Sequence, residues 1–96
     1  MSRLVFRVHA ILAMEERGIA VQDVHSAVDN GEDIESRPDE TPYPARLVLG
    51  YGRLGPLHVA VRDNIDLDEI IVETVYQPDP MLWEPDHKTR RGKRRP

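Results

Sequence analysis

The sequence predicts one α+β domain over residues 1–87, two N-terminal helices packed on a three- to four-stranded antiparallel sheet, with a disordered basic tail over residues 88–96. Three observations lead there. Apolar residues recur at helical spacing up to Asn30, strict alternation and β-branched runs begin at Arg46, and ninety-six residues make about one domain.

Leu4 to Phe6 is a short apolar stretch that either forms a first strand or leads into a helix. From Val8 to Arg17, Val8, Ile11, Leu12 and Met14 keep a helical rhythm, and Gly18 supplies the stop expected after a last turn. A second helix is expected from Val21 to Asp29, with Val21, Val24, Ala27 and Val28 on one face and Asn30-Gly31 ending it. Ala20 stands where a Ser or Thr cap would serve better, a loss of about 1 kcal/mol. Glu32 to Ser36 reads as a short strand. Arg37 to Pro44 reads as a loop whose three prolines withhold backbone donors.

Arg46 to Tyr51 is a strand with Leu47, Leu49 and Tyr51 on one face, and Gly52 to Pro56 is a glycine-containing hairpin turn. Leu57 to Arg62 places Leu57, Val59 and Val61 on one face, and His58, Ala60 and Arg62 on the other. Asp63 to Asp68 is turn-like. Glu69 to Tyr76 is rich in β-branched residues, as expected of a central strand covered on both faces. Pro78, Pro80 and Pro85 then exclude regular structure, and Trp83 is the side chain expected to pin this segment to the domain.

The absence of cysteine excludes disulfide staples and thiolate metal sites. No apolar run approaches the ~20 residues that span a bilayer, and charges break the N-terminal apolar stretch, so neither membrane nor signal peptide is expected and the cytoplasm is the expected location. The net charge of −4 hides an asymmetry: residues 88–96 hold six basic side chains and no acid, leaving −10 on the rest. Such a tail can neutralise phosphates, fold onto an acidic partner, or stay solvated.

No glycine-rich phosphate loop, His-Glu-x-x-His pair or nucleophile elbow is present, and His9, His25, His58 and His87 lack metal-ligand spacing. No metal or cofactor is expected. His58 is the most informative residue, because it shares a strand face with Arg62. If Arg46 and Tyr76 lie on neighbouring strands with matching orientation, a His/Arg/Arg/Tyr cluster forms. Such a cluster can cleave RNA: one group takes the ribose 2′-hydroxyl proton, another protonates the leaving oxygen, and a guanidinium faces the phosphorane charge. His9, at the start of the first helix, is a second proton-transfer candidate reaching that face from the side. Arg46 and Arg62 are the candidate phosphate binders, Tyr76 a supporting donor, and Trp83 either core packing or a stacking platform for a base. Structural roles stay open for each: a strand histidine held by hydrogen bonds, a partly buried helix histidine, a packed indole.

The strings His9-Ala10, Glu16-Arg17-Gly18-Ile19, Asp23-Val24, Asn30-Gly31-Glu32, Pro42-Tyr43-Pro44-Ala45-Arg46-Leu47-Val48-Leu49-Gly50, Pro56-Leu57-His58-Val59 and Thr74-Val75-Tyr76-Gln77-Pro78-Asp79, with Trp83, together resemble a small bacterial family known as domain-of-unknown-function 4258. The order of elements is also similar to the BrnT and RelE toxins, compact ribonucleases with helices on one face of an antiparallel sheet. The resemblance implies a metal-independent endoribonuclease of a toxin–antitoxin pair, with RNA as substrate and a small zinc-ribbon antitoxin as partner. A non-catalytic protein-binding module is the alternative. RelE-type toxins are usually strongly basic with a lysine-rich catalytic set. Here the body is acidic and the only lysines are Lys88 and Lys93, so BrnT is the closer analogy.

Overall fold

The computed structural model describes residues 2–92 and consists of β1 (Arg3–Phe6), α1 (Val8–Arg17), α2 (Val21–Asn30), β2 (Glu32–Arg37), β3 (Ala45–Gly52), β4 (Gly55–Asn64) and β5 (Glu69–Tyr76). The α+β class is as the sequence predicts. The sheet is larger, with five strands in the order β1-β5-β4-β3-β2, and it is mixed rather than purely antiparallel. The extra strand is β1, which pairs in parallel with β5 from Arg3↔Glu69 to Phe6↔Val72. Four residues carry too little periodicity to announce a strand, and the parallel partner lies more than sixty residues away. With β1 added, β5 becomes interior and β4, the longest strand, takes the centre.

Helix α1 ends at Gly18, whose φ of 67° is the left-handed conformation that glycine adopts without a Cβ penalty. The N–H of Ile19 then bonds Met14 O and that of Gly18 bonds Glu15 O, the paired closure that satisfies last-turn carbonyls. Helix α2 starts from Ala20, which makes no side-chain cap, and has Asp23 in its first turn, where the helix dipole favours an acid.

Both helices lie on one face of the sheet. Ala10, Met14, Ile19, Val24 and Ala27 pack there against Val48, Leu57, Val59, Val61, Val72 and Val75. Each fully buried valine or leucine contributes about 1.5–3 kcal/mol. Gly50 sets the closest approach: a Cβ on it would lie 2.4 Å from both Cα and Cβ of Ala27. Only glycine lets α2 sit this near β3.

The opposite face receives Leu47, Leu49, His58, Ala60 and Arg62 and is partly covered by the chain that follows β5. Residues 78–92 fold back on themselves. Leu82 and Trp83 donate to Asp79 O, Glu84 N–H to Thr89 O, and Arg91 N–H to Leu82 O. The Asp86 carboxylate accepts from the N–H groups of Lys88 and Thr89 and from the Thr89 hydroxyl. The result is a strap crossing toward β2, where Lys88 meets Glu32 at 3.1 Å and Arg90 meets Glu35 at 2.7 Å. Lys88, Arg90 and Arg91 of the expected tail therefore have acidic partners, Arg91 on Glu84. Residues 93–96 of that tail lie outside the described residues. Among the described residues no helix is long and apolar enough to cross a membrane.

Candidate functional site

Strand register puts small or slender side chains in a row on the strap side of the sheet. Leu47, Ala60 and Thr74 are direct neighbours across β3, β4 and β5, and they leave a groove of about 230 Å³. Polar residues also line it: Glu35, Arg37, Arg46, Arg62, Glu73, Tyr76 and Arg90. An irregularity in the β4–β5 register after Ala60 leaves Glu73 without a register partner, and its carboxylate meets the guanidinium of Arg62.

The next cross-strand row is Leu49, His58 and Tyr76. His58 is completely buried. Its Nε2 lies 2.7 Å from the carbonyl oxygen of His87, and its Nδ1 lies 3.3 Å from the Tyr76 hydroxyl. A carbonyl only accepts, so Nε2 carries the proton. In the neutral ring Nδ1 is then the acceptor, and Tyr76 donates to it. Burial pushes the His58 pKa down; the bond to the His87 carbonyl and the charge of Glu35 oppose this, while His87 and Arg90 add to it. Burial likewise raises the pKa of Tyr76, so the phenol keeps its proton. Trp83 closes the site edge-on, its ring centroid 4.4 Å from that of His58, and Arg90 lies over the indole at 4.6 Å.

The guanidiniums around the groove are all engaged. Arg62 binds Glu73 and Glu40, each at 2.9 Å, and donates to Tyr43 O. Arg46 grips Asp63 with two bonds of 2.8 and 3.0 Å and reaches Asp33 at 3.0 Å. Arg37 pairs with Glu40 and Arg90 with Glu35. These carboxylates raise the pKa of Arg46, Arg62 and Arg90 further, with Asp63, Glu73 and Glu35 respectively the largest cause.

The predicted residues are thus brought together in part. His58, Tyr76 and Trp83 are in mutual contact through His58, and Arg62 stands on the same strand face four residues from His58. Arg46 pairs in register with Val61, a core residue, so its side chain leaves the sheet on the helix face, opposite His58, and it is engaged by Asp63 and Asp33. His9 is exposed at the start of α1, on the helix side. The hollow it lines shares Glu73 and Thr74 with the groove, but neither His58 nor Tyr76. Trp83 is buried rather than open to a base.

Four contributors escaped sequence reasoning. Glu73 had a signal: it is the lone charge inside Ile70–Val75. Arg90 was hidden among five basic neighbours, Glu35 sat in a weak strand, and a backbone carbonyl such as that of His87 leaves no mark in a sequence. Among the described residues, no three His, Asp or Glu side chains gather as metal ligands.

Residues 6–77 match the model of a family described as Domain of unknown function (DUF4258). No curated protein and no solved structure matches the chain. The match covers β1 in part and everything to the end of β5, and it stops where the strap begins.

Proposed function

Because the chain belongs to the DUF4258 family, whose description assigns no activity, we propose its function from the groove: a metal-independent endoribonuclease of toxin type. One observation carries the reading, the Tyr76 hydroxyl aimed at Nδ1 of a neutral, buried His58 at the wall of a groove ringed by guanidiniums. Tyr76 has its proton directed away from the groove, so its oxygen lone pairs are available there. An RNA 2′-hydroxyl would give its proton to that oxygen while Tyr76 passes its own to Nδ1 of His58. The alkoxide attacks the adjacent phosphorus, Arg62 and Arg90 face the developing charge, and the 5′-oxygen leaves with a proton from water in the open groove. The products are a 2′,3′-cyclic phosphate and a free 5′-hydroxyl. No step requires a metal.

In this scheme His58 acts through Tyr76 from behind, which suits a ring without solvent exposure. Phosphate must replace Glu73 on Arg62 and Glu35 on Arg90, so binding is weaker than unpaired arginines would give. The reading is closer to BrnT than to RelE, places the protein in the cytoplasm, and implies a zinc-ribbon antitoxin that covers the groove. Expression in bacteria lacking that partner tests it. The expected result is growth arrest with fragmented RNA for the wild type, relieved by Tyr76→Phe. Normal growth and intact RNA with the folded protein present would overturn the reading.

The second reading is a protein-binding module. It is favoured by the pairing of Arg37, Arg62 and Arg90 with carboxylates and by the −10 charge of residues 1–87. Under it, Tyr76→Phe leaves partner affinity unchanged.

A further inference from the structure

We infer that residues 78–92 form a hinged clasp, which when closed fixes the ring of His58 and when open exposes it. The family match ends at residue 77, where the clasp begins. It is internally bonded: its own turns are closed by Asp79, Asp86 and the Glu84–Thr89 and Leu82–Arg91 backbone bonds. Such a segment can move without unravelling. Its hinge is Gln77-Pro78-Asp79-Pro80, where the prolines can donate no backbone bond to a neighbouring strand.

Its apolar hold on the body is two buried residues, Pro78 at the hinge and Trp83. Of Met81, Leu82 and Trp83, only Trp83 is buried, at 3% exposure against 80% and 60%. The remaining ties are the His87 carbonyl on His58, and two partly exposed ion pairs to the edge strand β2, Lys88–Glu32 and Arg90–Glu35. Segments with few apolar anchors and exposed polar ties open at far lower free energy than the whole domain. The consequence for His58 is specific. With the clasp closed, the His87 carbonyl keeps the proton on Nε2 and leaves Nδ1 to accept from Tyr76. With it open, water meets Nε2, Trp83 leaves the ring, and either tautomer is allowed. The groups facing His58 are Tyr76 from β5, Glu35 from β2, and His87, Trp83 and Arg90 from the clasp.

Acylation of histidine by diethylpyrocarbonate, mapped by mass spectrometry on the full chain, tests this directly. His9 and His25 are exposed and serve as internal references. In the Glu32→Gln/Glu35→Gln double variant, loss of two exposed pairs is expected to shift the open-to-closed ratio about tenfold. The His58 rate should rise by that factor while His9 and His25 keep theirs, and quenching of Trp83, the only tryptophan, should rise in step. A salt series on the wild type, to about 1 M, should move both signals the same way. If the double variant unfolds, the wild-type series decides. A His58 rate and Trp83 quenching that stay at their low-salt values throughout overturn the clasp. The effect on turnover rests on the RNA reading and is read in Glu32→Gln alone, which leaves Arg90 on Glu35: cleavage should fall as the clasp opens, and cleavage that rises overturns the fixing role. Absence of cleavage in every form overturns the RNA reading instead, and the His58 rate still decides the clasp.

Discussion

Acid should weaken this fold through a single ring, and replacing His58 by Gln should abolish that weakness. The folded state favours neutral His58, since the ring is fully buried and its pKa is lowered, with desolvation as the largest cause. Above the unfolded value of ~6.5 both states hold the ring neutral, and stability is complete. As pH falls below that, the unfolded chain takes up a proton that the folded protein resists. Stability then drops by at most ~1.4 kcal/mol per pH unit, levelling once the pH passes the folded value. Between pH 6.5 and 5 the loss is therefore at most about 2 kcal/mol, before most carboxylates titrate. Gln can still donate to the His87 carbonyl but cannot titrate, so the difference between the two proteins isolates the ring. Urea denaturation at several pH values, followed by far-UV circular dichroism, measures it. Wild type should lose stability relative to His58→Gln as pH falls through this window. Parallel curves for the two proteins would refute the burial and bonding assigned to His58.

Three further substitutions test the frame. Gly50→Ala forces a Cβ to 2.4 Å from Ala27 and should destabilise by about 1–3 kcal/mol or more, read as a lower urea midpoint with the slope unchanged. Arg46→Ala leaves Asp63, which is only partly exposed, without its two-bond partner and should cost about 1–3 kcal/mol, with thermal denaturation as the check. Ala20→Ser supplies the side-chain cap that α2 lacks and should stabilise by about 1 kcal/mol, seen as a higher melting temperature.

What the sequence made legible follows from periodicity. The helical rhythm of Val8–Arg17 and Val21–Asp29 and the alternation of Leu57–Arg62 are local signals; α1 has the expected bounds, α2 runs on to Asn30, and β4 extends to Gly55–Asn64. The side of the sheet occupied by His58 was equally readable, because alternation separates it from Leu57 and Val59. What was not readable depends on register and on long-range return of the chain. Arg46 alternates with Leu47, yet it is Leu47 that pairs with Ala60 on the face of His58, while the pairing of Arg46 with Val61 sends its side chain to the helix face. β1 is four residues whose partner is at the far end of the chain. The strap was read as proline-broken and pinned by Trp83, with residues 88–96 disordered; its turns were not readable, because they are held by the Asp79 and Asp86 side chains, which produce no period. His58 was legible as a residue of interest but not as a sealed one, since the atoms that seal it come from Trp83 and His87.

The central claim is that Tyr76, backed by His58, is the group in the groove that takes a proton from an RNA 2′-hydroxyl. Single-turnover incubation of the purified chain with an RNA oligonucleotide and with its fully 2′-O-methylated counterpart, in EDTA, tests it most directly. The expected outcome is cleavage of the unmodified RNA alone, ending in a 2′,3′-cyclic phosphate, with Tyr76→Phe slower by about 100-fold or more. Cleavage of both oligonucleotides, of neither, or at an equal rate by Tyr76→Phe would contradict it.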